Sequence, residues 1–158
     1  MSSARLDALR FPDRFDIEQL MYAYTRAADH ADARTQADLF IEDCRVSYSG
    51  GVWIEGREAL LAVLEKAFTR YRQTSHQVSN ISITFTGTDT ATAESVLTAW
   101  HRGHDGKEWT LHGRYVDTWI KGMAGWKMAT REIQAAGAIG RDEAQLTMLR
   151  RLTLSDGH

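Results

Sequence analysis

A chain of 158 residues with 43% hydrophobic residues suits one compact domain with a sizeable core and leaves no room for a second. Its 19 Lys and Arg against 21 Asp and Glu give a net charge of -2, with no basic stripe interleaved with aromatics, which argues against nucleic acid as a partner. No apolar run approaches the roughly 20 residues of a membrane helix and the first ten residues lack the apolar stretch of a secretion signal, so a cytoplasmic protein with no membrane association is expected.

Residues 1–14 read as a polar N-terminal extension carrying the only proline, Pro12, and Asp16 with Gln19 suits a capping box, so a first helix is expected from Asp16. Ile17, Leu20, Met21, Tyr24, Ala27 and Ala28 then recur at helical spacing, and Asp29 continues that stripe. A short second helix fits Arg34 to Ile41, followed by a strand from Cys44 to Tyr48, a Ser49-Gly50-Gly51 turn and a brief strand from Val52 to Ile54. Cys44, the single cysteine, can form no internal disulfide and is expected to be buried. Beyond Gly56, the spacing of Ala59, Leu60, Val63, Leu64, Ala67 and Phe68 marks a third helix that Tyr71 to Thr74 closes.

After that the period changes to two. Strands are expected over His76 to Phe85, Thr90 to His101, Glu108 to Ile120 and Trp126 to Ile133, joined by short connections rich in Gly or Asp, as in an antiparallel meander. Helices first and hairpin-linked strands afterwards give an α+β arrangement and disfavour a Rossmann-type dinucleotide domain. The main domain is expected over 15–135. The tail, 136–158, carries Ala144, Leu146, Leu149 and Leu152 at the spacing of a short helix and would be a lid, a subunit arm or a disordered segment.

Asp29 is the first anomaly. A carboxylate near the negative end of a helix, on its apolar stripe, is expected to have a raised pKa, and beside a histidine it would fix one imidazole tautomer and stabilise the protonated ring. His76 is the candidate partner and general base. By residue type alone the commoner outcome is that Asp29 caps the helix or pairs with Arg26 or Arg34, and that His76 is a half-buried polar residue at a strand end. Strict alternation also puts His76 on the face opposite Ile81, Ile83 and Phe85, so a bulge or a two-sided sheet is required. Tyr48 and His101, each at a strand end, could hydrogen-bond a substrate oxygen, and an inward Arg114 or Tyr115 could bind an anionic or phenolic group. On the fifth strand Trp109, Leu111, Gly113, Tyr115, Asp117 and Trp119 share one face, and His112 and Arg114 the other. A metal is not expected, since His101 and His104 flank a turn and no His-Glu helix motif or cysteine pair occurs, and no G-x-S-x-G elbow supports a serine hydrolase.

Tyr24 with Asp29 and Asp32, Leu39-Phe40, Gly56, Thr74 with His76, the Gly87 hairpin and Trp126-Lys127 together resemble the SnoaL-like branch of the NTF2-like superfamily over roughly residues 14 to 133. The resemblance implies a cone-shaped fold, with three helices on a strongly curved, mainly antiparallel sheet enclosing an apolar pocket, and a homodimer or homotrimer. Within the branch the chain is similar to scytalone dehydratases and bile acid 7α-dehydratases, which implies catalytic roles for Asp29 and His76, with Tyr48 and His101 in matching places. Tyr24, Arg114 and Tyr115 would contact substrate. The serine and asparagine that scytalone dehydratases carry on the next strand are replaced near Gly113 and Tyr115, so their substrate does not carry over.

The expected function is that of a cofactor-independent lyase, with an isomerase or a noncatalytic binding module as the alternatives. Its partner would be a small hydrophobic or aromatic molecule. Assembly through the open sheet face, with exposed Trp100 or Trp119, is a further alternative.

Overall fold

The computed structural model describes residues 9–150. Its elements run α1 (Phe11–Asp29), α2 (Ala33–Asp38), β1 (Phe40–Ser47), β2 (Ile54–Glu55), α3 (Arg57–Phe68), β3 (Tyr71–Phe85), β4 (Thr90–Gly103), β5 (Glu108–Gly122) and β6 (Gly125–Ile139). Three helices thus pack on one curved sheet in the order β2-β1-β6-β5-β4-β3, the expected α+β fold. Strands β3 to β6 form the expected antiparallel meander, whereas β1 joins β6 in parallel, the one exception in the sheet. No helix of the described residues is long and apolar enough to cross a membrane.

Helix α1 starts at Phe11, before the expected capping box. Pro12 falls in its first turn, where the missing N–H would have no partner in any case, and no side chain caps the end. Asp13 anchors this turn to the hairpin between β5 and β6: its carboxylate accepts from Lys121 Nζ at 2.6 Å and Trp126 Nε1 at 2.8 Å. Ile17, Met21, Tyr24, Ala27 and Ala28 are buried as their spacing requires. Helix α2 is shorter than expected; it is capped by Asp32, which accepts from Thr35 N, and β1 begins at Phe40 and takes over the residues assigned to the helix end. Cys44 is fully buried in β1.

Tyr71 to Thr74 do not close α3. They open β3 instead, because Tyr71, Gln73 and Thr74 pair with Gly103, Arg102 and His101 of β4. His76 therefore lies well inside a long strand. The bulge that its parity demanded is present: Ser79 faces Val96 and Ser82 faces Glu94, three steps on β3 against two on β4, with Asn80 at φ 50°. The extra residue lets His76 and Val78 share a face with Ile81, Ile83 and Phe85.

The helix expected in the tail is absent over residues 141–150. Ala135 N donates to Thr147 O at 2.7 Å and Leu149 N to Ala135 O at 2.8 Å, so the segment lies along the edge of β6 beyond the end of β1 and spends its backbone groups there. Leu152 lies outside the described residues. Trp119, expected on an open face, is 1% exposed and belongs to the core.

Candidate active site

The concave face of the sheet is laid out in rows set by strand register. Thr74, His101 and Trp109 lie abreast on β3, β4 and β5, and the next row runs His76, Ala99, Leu111. Below these come Val78, Leu97 and Gly113. A Cβ on Gly113 would meet Gln134 O at 2.5 Å, so the close approach of β5 to β6 needs glycine there. The small side chain of Ala99 leaves space beside the His76 ring. With α3 and the tail closing the sides, the first two rows and Leu97 wall a cavity of about 410 Å³.

Asp29, the last residue of α1, meets β3 through three hydrogen bonds. Its carboxylate accepts from Thr74 Oγ1 at 2.9 Å, His76 N at 3.0 Å and His76 Nδ1 at 2.7 Å. No bond to Arg26 or Arg34 replaces them. The expected upward pKa shift is corrected: burial pushes the carboxyl up, but the His76 ring and backbone N–H, with Thr74, outweigh it and hold Asp29 below the ordinary carboxylate range. An ionised carboxylate only accepts, so Nδ1 of His76 carries its proton toward Asp29, and Nε2 is the nitrogen left for the cavity that His76 lines.

His101 sits beside this pair, its ring 5.4 Å from that of His76 and stacked on Trp109 at 3.9 Å with an interplanar angle of 1°. Burial, then the neighbouring His76, push its pKa down to about 4, and its Nδ1 has no partner within the protein. His101 is therefore a neutral imidazole near pH 7, with hydrogen-bonding capacity to spare.

Deeper in the pocket, Tyr24 and Tyr48 share a hydrogen bond of 2.9 Å between their hydroxyls. Burial raises both phenol pKa values, that of Tyr48 well above the usual range, so both stay protonated. One proton closes the mutual bond and the other is available to a ligand. Gln36 also lines the cavity; its Nε2 donates to Tyr24 O at 3.2 Å, which leaves the buried Oε1 as an unpartnered acceptor.

Under this floor lies a second carboxylate pair. Asp117 takes two bonds from Arg131, at 2.8 and 2.6 Å, with both side chains fully buried. The guanidinium is held between the rings of Tyr24 and Tyr115, 4.1 and 3.9 Å from their centroids. Burial alone would lower the Arg131 pKa, but Asp117 more than offsets it and keeps the cation charged.

The structure therefore brings Asp29, His76, Tyr48, His101, Tyr24 and Tyr115 together around one cavity, with Asp29 behind His76. It does not bring Arg114 there. Arg114 stands on the outer face of β5 and pairs with Glu94, as the alternation with His112 requires, so its proposed contact with substrate is withdrawn. Sequence reasoning missed Gln36, Trp109, Arg70 and Arg141 as lining residues, and the role of Thr74. Thr74 was within reach, since it lies two residues before His76 on the same strand face. Arg141 follows the last strand in irregular chain and left no periodic signal.

A family model described as a SnoaL-like domain matches residues 10–132. A crystal structure from Novosphingobium aromaticivorans, provisionally named a scytalone dehydratase, is 32% identical, with 97% of this chain and 100% of that one covered at a TM-score of 0.83. Another from the same organism, provisionally named an aromatic ring hydroxylase, is 27% identical over 82% of this chain and 94% of that one, at a TM-score of 0.78. A hexachlorocyclohexane dehydrochlorinase from Novosphingobium barchaimii has a TM-score of 0.76 over 94% and 99% of the two chains, and at 14% identity it shares the fold alone. No curated protein matches the chain by sequence.

Proposed function

The chain belongs to the SnoaL-like family of the NTF2-like superfamily, and from that premise we propose that it is a cofactor-independent lyase of the dehydratase type, acting on a small cyclic or aromatic molecule. The observation that carries this reading is the Asp29–His76 pair at the wall of the cavity, whose hydrogen-bond direction leaves Nε2 as a free base.

In the proposed reaction, Nε2 takes a proton from a carbon next to a carbonyl or an activated ring. The C–H electron pair becomes the new C=C bond as the C–O bond breaks. The departing oxygen takes the proton back from the imidazolium and leaves as water. Asp29 stabilises the imidazolium while it exists, and Thr74 holds Asp29 in place. The free proton of the Tyr24–Tyr48 pair and the neutral His101 would polarise substrate oxygen, directly or through water. The mostly apolar walls, with Leu97, Leu111, Phe68 and Ile133, suit a ring. The name of the 32% identical relative agrees with this reaction class.

The test is turnover of a panel of cyclic hydroxyketones and aromatic alcohols by the purified protein, read by product mass. Loss of one water is expected. A product of unchanged mass would replace elimination by isomerisation, which uses the same base and returns the proton to another carbon. Undiminished turnover by His76→Ala would end the acid-base reading altogether.

A further inference from the structure

The charges around the cavity are unevenly placed. Its lining includes two arginines, Arg70 just before β3 and Arg141 in the tail, and no Asp or Glu. Both arginines are solvent-exposed residues, so they stand at the open end. Neither has an ion-pair partner among the described residues, which is true also of Arg14, Arg26, Arg34 and Arg72, but of these unpaired arginines Arg70 and Arg141 are the two that line the cavity. The guanidinium of Arg141 lies over Trp109, 4.6 Å from the ring centroid. A guanidinium stacked by its face keeps its N–H edge free, and that edge is the part that recognises a carboxylate.

The inner end is different in kind. Tyr24, Tyr48 and Gln36 offer neutral donors and acceptors there. The one cation nearby, Arg131, is not in the lining: the rings of Tyr24 and Tyr115 flank it and Asp117 neutralises it. An anionic group entering this cavity thus has no free counter-charge inside and two at the rim.

We propose that the substrate is a ring compound bearing a carboxylate, and that Arg70 and Arg141 hold this carboxylate at the rim while the ring occupies the apolar interior. The substrate class rests on the lyase reading for its reaction, but the recognition itself does not need turnover. Charge-assisted hydrogen bonds are worth roughly 1.5–3 kcal/mol, which corresponds to about 10- to 100-fold in affinity.

The experiment uses a matched pair of probes, 4-hydroxybenzoate and the neutral 4-hydroxybenzamide, with binding followed by titration calorimetry at low salt. The wild-type protein should bind the carboxylate at least about tenfold more tightly than the amide, and raising the salt should narrow the gap. Arg70→Ala combined with Arg141→Ala should reduce the preference to less than about threefold without changing the melting temperature materially, both side chains being exposed. Arg141→Lys should keep part of it. His76→Ala should keep the preference in full, which separates failure of the catalytic reading from failure of this one. The proposal is overturned if the amide binds as well as the carboxylate, if the double variant keeps the preference, or if the carboxylate shows no binding at millimolar concentration.

Discussion

Two carboxylate–base pairs lie close together in this protein, and their difference is instructive. Asp117 and Arg131 are fully buried, doubly bonded and walled by two tyrosine rings, and a guanidinium cannot give up its proton. Asp29 and His76 keep 28% and 13% of their side-chain surface exposed, and the base is an imidazole with one nitrogen open to a cavity. The first arrangement can only hold things in place. In the proposed reaction the second takes up a proton and returns it. A carboxylate can serve chemistry where its partner keeps a lone pair that a substrate can reach.

The largest effect expected from breaking this contrast is on turnover. His76→Ala should lower kcat by about 10²- to 10⁴-fold with the circular dichroism spectrum unchanged. Asp29→Asn should lower kcat by about 10²-fold, with KM little altered, since the amide no longer stabilises the imidazolium.

The other pair answers in stability. Arg131→Met leaves Asp117 buried without its partner and should cost roughly 3–5 kcal/mol in denaturant melts. Combining it with Asp117→Leu should restore part of that loss, which a purely steric role for Arg131 would not allow.

Acid should reveal the environment of His101. Its folded pKa, about 4, is below the usual histidine value, so the unfolded chain binds a proton that the native state refuses, and stability falls as pH drops from about 6.5 toward 4. The loss should approach about 3 kcal/mol. Asp29 shifts in the same direction as an acid, and its contribution disappears at lower pH, as pH falls through its depressed pKa. In thermal melts at pH 7 and pH 4.5, His101→Phe should lose less stability than the wild type, since it keeps an aromatic ring on Trp109 and removes the titration. The smallest effect belongs to the outer face. Arg114→Ala, which breaks a pair with Glu94 in solvent, should cost under about 1 kcal/mol and leave turnover unchanged.

The fold was legible because its elements carry clean periods: the α1 stripe from Ile17 to Ala28 and the alternation along β5 both match the observed burial. Alternation also assigned Arg114 to the outer face, and its inward alternative fails for that reason. The Asp29–His76 contact was reachable as a resemblance, since no local rule brings a helix end to a strand 47 residues away. The direction of the Asp29 pKa was not reachable, because burial and the helix end are readable in sequence while the three donors facing the carboxylate are tertiary. Arg70 and Arg141 were missed for a similar reason: one sits at an element boundary and the other in irregular chain, where no period sets the direction of a side chain.

The extra residue at Asn80 acts as a phase slip in β3. Upstream of it, Thr74 and His76 serve the cavity. Downstream, the opposite parity gives Ile83 to the core and supplies the Ile83 carbonyl to Arg14 of α1. One strand therefore carries two out-of-step messages, and substitutions that retune the cavity half leave the helix-bearing half in frame. Deleting the extra residue would bring the halves into step as one regular strand with the same face inward, whereas straightening the bulge with the residue kept would turn one half inside out.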